Sequence, residues 1–333
     1  MLPLTGCPGP APIEPESGTS GEMESSSSAP TEASDTQLMT TDNMTGTTVM
    51  PTSDATTTTG EPASTSDTGE STGGGAIVVE GLAHPESILH DKVADVYLIS
   101  NINGEPDGDD DDGFISRVHP DGTIEELRWI DGADAEVELD APKGMAIVGD
   151  VLYVADLTEV RKFDRVSGAQ IGSIPIAGAL FLNDLAASPI GRVYVSDTGA
   201  NSLHFIDGDA VTTMLTSAEL SGPNGLLFAG DFLTVVGFDG PNMFNVPFEG
   251  PNASVVYTFA FGMLDGIVAV PDGILVSSWD EAGAGVYKLA TDLSGVTPIV
   301  EGIDSPADIE VDLDRNMLLV PVLLQDRAEF YPL

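Results

Sequence analysis

The chain has 333 residues, with 11 Lys and Arg against 54 Asp and Glu and a formal net charge of −43. A field of that sign disfavours nucleic acid and anionic membrane surfaces and leaves cations, divalent metals and neutral molecules as partners. No run of about 18 apolar residues predicts a transmembrane helix, and the single cysteine, Cys7, excludes an internal disulfide or a multi-cysteine zinc site.

At the start stands "LTGC", residues 4–7, which resembles a bacterial lipobox. The resemblance implies lipidation of Cys7 and an extracytoplasmic protein, lipid-anchored to a bacterial envelope membrane or secreted. The alternative is a free thiol in a disordered tail. Residues 1–75 are Ser, Thr, Pro, Gly and acids, as in "TSDATTTTGEPASTSDTGESTGGG", with eleven acids and no Lys or Arg. Such a segment buries too little apolar surface to offset its chain entropy, and a disordered linker is predicted. Residues 76–333 then carry every basic residue and a net charge of −32.

The remainder repeats. Aligned on one short pattern, it gives "HPESIL", "APKGMA", "FLNDLA", "GPNGLL", "MLDGIV" and "SPADIE", whose third residues are Glu86, Lys143, Asn183, Asn224, Asp265 and Ala307. The intervals are 57, 40, 41, 41 and 42 residues, and the long first one contains the acidic insertion "GEPDGDDDDG". A β-rich string follows each anchor by ten to twelve residues: "YLISN", "YVADL", "YVSDT", "TVVGF", "LVSSW" and "LVPVL". Turn signals such as "HPDGT" and "VPDGI" punctuate the units, and helical periodicity is absent. Repeats of about 41 residues with four short strands each predict an all-β six-bladed propeller over 76–333. Its first strand, "AIVVEG", completes the last blade, "AEFYPL", and closes the ring.

In that architecture the six anchors begin the innermost strands and converge on one mouth of the central channel. The ring they form holds two carboxylates, Glu86 and Asp265, two carboxamides, Asn183 and Asn224, one ammonium, Lys143, and one blank, Ala307. Four side-chain oxygens with two negative charges suit a hard divalent cation and leave positions for water or substrate. The alternative is that these polar residues only cap the strand starts. Lys143 either binds an anionic substrate group or pairs with Glu86 and weakens the metal.

These motifs resemble the senescence-marker-protein/gluconolactonase (regucalcin-like) family, six-bladed propellers related to the paraoxonases. "PES" supplies Glu86, "ND" Asn183, "PNGL" Asn224 and "LDGI" Asp265 in the family's blade order, and the likeness covers 76–333. It implies a calcium site, or one loaded with zinc or manganese, made by Glu86, Asn183, Asn224 and Asp265. It also implies hydrolysis of a lactone or other ester, in which the metal polarises the carbonyl and Asp265 serves as general base. Phe181 stands where gluconolactonase-like members read sugar hydroxyls with an Arg, so a substrate more apolar than a sugar lactone is implied.

The strings after the anchors place Asn101, Asp156, Asp197, Gly237, Trp279 and Gln325 at the entrance, where Trp279 either stacks on substrate or packs between blades. Lys143, Phe181 and Trp279 are the candidate substrate contacts. The insertion Asp107 to Asp112 belongs to the same face and reads as a solvated acidic loop; the alternative is a lid or a second calcium loop, although the segment lacks EF-hand spacing. Of four histidines only His84 is placed near the mouth. No "GxSxG", "HExxH" or phosphate-binding glycine loop occurs. The rival to a monomeric hydrolase is a surface-displayed propeller that binds a protein or glycan and keeps a structural metal; a metal-free lyase or synthase is a third reading.

Overall fold

The structure, a computed structural model, describes residues 75–248 and 252–333; Cys7 and the linker sequence up to residue 74 lie outside the described residues. The fold is the expected all-β one. Six four-stranded antiparallel sheets follow one another along the chain. Blades 1 to 5 span 85–131, 142–175, 182–216, 223–258 and 264–301, each built from consecutive strands running outward from the channel. The sixth blade orders its strands Glu310–Asp312, Met317–Val322, Arg327–Pro332 and then Ile77–Glu80, so the first strand of the described chain becomes the outermost strand of the last blade. Ile77 pairs with Phe330 and Glu80 with Arg327. Among the described residues the helical content is two single 3-10 turns, Ala218–Leu220 and Leu323–Gln325.

The blades form where the sequence alternates short β-rich runs with tight turns. At "HPDGT" the His119 amide donates to the Thr123 carbonyl at 2.8 Å, and Gly122 adopts a φ of 85° that residues with a Cβ rarely take. Burial follows strand position. The second strands are buried on both faces, as in Val96–Asn101 and Val193–Asp197, whereas outermost strands such as Ala210–Thr216 are largely exposed.

Apolar clusters fill the spaces between adjacent blades. One, around Tyr97, Ile99, Leu319 and Phe330, joins the first blade to the last. Tyr97 meets Phe330 edge to face at 5.1 Å, and its hydroxyl donates to Asp312 Oδ2 at 2.7 Å. Burying such a ring contributes about 1.5–3 kcal/mol, so ring closure rests on packing as well as on the strand that completes blade 6.

Candidate functional site at the channel mouth

Each of the first five inner strands opens with the same irregularity. Pro85 pairs with Asn101 and Ile88 with Ile99, so Glu86 and Ser87 together face one residue, Ser100. The same two-against-one bulge recurs at Lys143 and Gly144, Asn183 and Asp184, Asn224 and Gly225, and Asp265 and Gly266. A bulge bends the strand and re-aims its side chains. Here it turns the first residue of each pair into the mouth.

Serines lock three of these bulges. The second bulge residue donates its amide to the facing hydroxyl: Ser87 to Ser100 Oγ at 2.9 Å, Asp184 to Ser196 Oγ at 2.8 Å, and Gly266 to Ser277 Oγ at 2.7 Å. Ser196 then donates to the Asn224 carbonyl and Ser277 to the Ala307 carbonyl, each at 2.7 Å in the next blade. Where the second bulge residue is a glycine, proximity enforces it. A Cβ on Gly225 would lie 2.2 Å from the Asp265 carbonyl oxygen, and one on Gly266 2.4 Å from the Ile309 amide nitrogen.

Glu86, Lys143, Asn183, Asn224 and Asp265 line one cavity of about 250 Å³, together with Ile102, Pro106, Phe181, Thr198, Phe238, Trp279 and Leu323. All five polar side chains are buried, at 1–6% exposure. The sixth anchor, Ala307, is buried ahead of a shortened inner strand and stays the ring's blank. Glu86 Oε2, Asn183 Oδ1, Asn224 Oδ1 and Asp265 Oδ1 are buried and accept no hydrogen bond. A buried acceptor left unpaired costs about 1–3 kcal/mol, more when charged. Four in one cavity are therefore a strong demand for a cation or donor.

Electrostatics point the same way. Burial pushes Glu86 well above the usual carboxylate range, reinforced by Asp265 and Asp308 and opposed by Lys143. Burial and the Asp308 charge likewise raise Asp265, opposed by the Trp279 indole and the Asn224 amide. Two carboxylates and two amide oxygens match the donors a hard divalent cation takes, and the pair of charges would neutralise it. No three His, Cys, Asp or Glu side chains gather in metal-binding arrangement among the described residues; the set here is mixed, with two acids and two amides.

Lys143 points into this ring. Its Nζ donates to the Ala141 carbonyl at 2.8 Å and sits 4.4 Å from the centroid of the Phe181 ring. Desolvation lowers its proton affinity, against the Glu86, Asp156, Asp107 and Asp140 charges. The Glu86 charge is the foremost of those that oppose the loss of its proton, acting through space. Trp279 lines the cavity, edge-on to Phe238 at 5.6 Å.

The other rim residues do something different from contacting a substrate. Asn101, Asp156 and Asp197 are fully buried and turn back to the loops that enter their own inner strands. Asn101 Oδ1 accepts from Ala83, Asp156 Oδ1 from Ala141, and Asp197 from the Leu180 and Phe181 amides. These clamps set the strand starts and so the site residues. Gln325 ends a 3-10 turn and does not line the cavity, and Gly237 contributes no side chain. His84 is tied by Nδ1 to the Gly104 carbonyl at 3.0 Å, outside the cavity lining. From the acidic insertion only Pro106, just ahead of Asp107, reaches the cavity.

Sequence reading missed a second tier. Asp184 and Asp308 follow Asn183 and Ala307 and line a chamber deeper in the channel with Glu310. Asp184 accepts from the Leu185 and Leu226 amides, each at 2.6 Å, and Asp308 accepts from the Ser87 hydroxyl at 2.6 Å. They join neighbouring blades below the mouth.

The described residues thus form a six-bladed β-propeller with a polar mouth. No family model matches it, and no curated protein matches it in sequence. Among solved structures it is similar to a streptogramin B lyase, with a TM-score of 0.56 and 10% identity over 77% of this chain and 98% of that one. It is also similar to virginiamycin B lyase from Staphylococcus aureus. A catalytically inactive variant of that lyase with quinupristin gives a TM-score of 0.51 and 14% identity, and a selenomethionine-substituted form 0.53 and 13%, each over 77% of this chain and 99% of the other. At such identities what is shared is the propeller fold.

Proposed function

We propose that the protein is a metal-dependent hydrolase of a lactone or other ester, with a divalent cation held at the channel mouth by Glu86, Asn183, Asn224 and Asp265. The observation that carries this reading is the convergence of four buried, unpartnered side-chain oxygens in one cavity. Calcium suits the all-oxygen donor set, with zinc or manganese as substitutes. When bound, the cation would supply Lewis acidity to the ester carbonyl oxygen.

The chain's own residues supply the rest. The apolar walls, Ile102, Phe181, Phe238, Trp279 and Leu323, exclude water and hold an apolar substrate body. Asp265, buried and with its proton affinity raised by burial and by Asp308, is the group to take the proton of an attacking water. The charge balance of Lys143 bears on substrate choice. Lipidation at Cys7 and an extracytoplasmic location, lipid-anchored to a bacterial envelope membrane or secreted, complete the proposal, with the protein working as a monomer on a small molecule.

The test is hydrolysis of a panel of aryl esters and apolar lactones by the full chain, with calcium, with chelator, and in Asp265→Asn. Calcium-dependent turnover lost in the variant supports the reading; turnover indifferent to both overturns it. A second reading, a non-catalytic binding propeller with a structural ion, is favoured by one observation. The four oxygens come from four different blades, so an ion there would tie the ring together whatever its chemistry. Calcium stabilisation without turnover on any ester would select it.

A further inference from the structure

We propose that the mouth cavity recognises a ligand that joins an anionic group, a carboxylate or its like, to a small apolar body, and that Lys143 is the partner of the anion. This rests on reading the cavity as a substrate site and names the substrate class for it.

Lys143 is 1% exposed, and its one protein hydrogen bond goes to the Ala141 carbonyl. An ammonium has three donors, so two remain to be satisfied inside a cavity whose walls are Ile102, Pro106, Phe181, Phe238, Trp279 and Leu323. These six side chains offer no acceptor; Glu86, Asp265, Asn183 and Asn224 also line the cavity, and their open oxygens are the ones the proposed cation would take. The Phe181 ring, 4.4 Å away, steadies the charge over its face without using a donor. Phe181 is itself fixed, because its amide donates to Asp197 Oδ1 at 3.0 Å. The ammonium is thus braced at the wall and left open toward the cavity.

Charge balance identifies what fills it. Were a dication held at the four oxygens, it would cancel the charges of Glu86 and Asp265, and Lys143 would then give the mouth one positive charge of its own. An anionic ligand neutralises that charge and supplies the missing acceptors. The net charge of −43 opposes anions at long range, but it is screened beyond about 8–10 Å at ordinary ionic strength, and contact is decided by the ring. A cavity of about 250 Å³ lies below the range of drug-sized sites, so the apolar body is small, on the scale of one ring or a short chain.

Phenylacetate and phenylacetamide are matched probes of this assignment, because they differ in charge and share shape. Binding of both to the full chain would be measured by calorimetry in calcium and in chelator, for the parent and for Lys143→Met. Phenylacetate is expected to bind at least about tenfold tighter than the amide in the parent, and that ratio is expected to fall to about one in the variant. Equal binding of the two probes by the parent in calcium overturns the assignment, without recourse to a variant that fails to fold. A tenfold preference retained in folded Lys143→Met also overturns it, since the anion then sits elsewhere. The preference is expected to be lost in chelator, where Glu86 and Asp265 are no longer cancelled; one that persists there overturns the charge balance from which the assignment is drawn. A Lys143-dependent preference in a protein that turns over no ester supports it while the hydrolase reading fails.

Discussion

Glu86 and Asp265 are carboxylates held where water cannot reach them freely, and their behaviour follows from that. As the proposed general base, Asp265 is expected to account for about 10²–10⁴ in rate, so Asp265→Asn should lose that factor in the proposed ester turnover, measured at saturating calcium. Asp308, deeper in the channel, gives a pH test. Burial, set against the Ser87 hydrogen bond, pushes its carboxyl up to about 7, above its unfolded value of about 3.9. A group whose folded pKa is raised holds its proton more tightly when folded, so its contribution is most favourable below about 4 and is lost as pH rises through about 7. In chelator the melting temperature should fall between about pH 4 and 7, and Asp308→Asn should flatten that fall; an unchanged profile would contradict the assignment. The mouth residues were legible in the sequence because the forty-residue repeat aligns them. Asp184 and Asp308 were not. In a regular strand the residue after an inward one points away, and only the bulge returns Asp184 to the channel.

At the level of elements, the bulge with its serine lock is the unit that builds the site. Removing the hydroxyl of Ser196 leaves the buried Asp184 amide without its acceptor and the Asn224 carbonyl without its donor. Ser196→Ala is expected to destabilise by about 1–3 kcal/mol, measured by urea unfolding. It should also weaken calcium stabilisation, because Asn183 and Asn224 flank the lock. Gly225→Ala should destabilise by at least about 1–3 kcal/mol, since its Cβ would press on the Asp265 carbonyl oxygen. The strands themselves were readable from β-rich strings between turn signals. The lock was visible only as an unexplained recurrence, "SN", "SD" and "SS" at 100–101, 196–197 and 277–278. The same strings suggested an entrance rim, yet Asn101, Asp156 and Asp197 clamp backbone instead, because a strand's last residue faces the loop it can satisfy.

For the whole molecule, the repeat period determined the blade number, and the pairing of Ile77–Glu80 with Arg327–Pro332 closes the ring as the terminal strings implied. Deleting 77–80 would expose the edge of the last blade, an invitation to intermolecular pairing; a lower melting temperature and concentration-dependent association in light scattering are expected. Chemistry was less legible than architecture, because shape is set by many apolar positions and function by a few oxygens whose partner the chain does not supply. The most direct measurement is thermal unfolding of the full chain in chelator and in calcium, beside Asp265→Ala. The midpoint is expected to rise with calcium in the parent and to stay fixed in the variant, by RT ln(1 + [Ca]/Kd) of added stability. A parent midpoint that does not move with calcium, zinc or manganese would contradict the account.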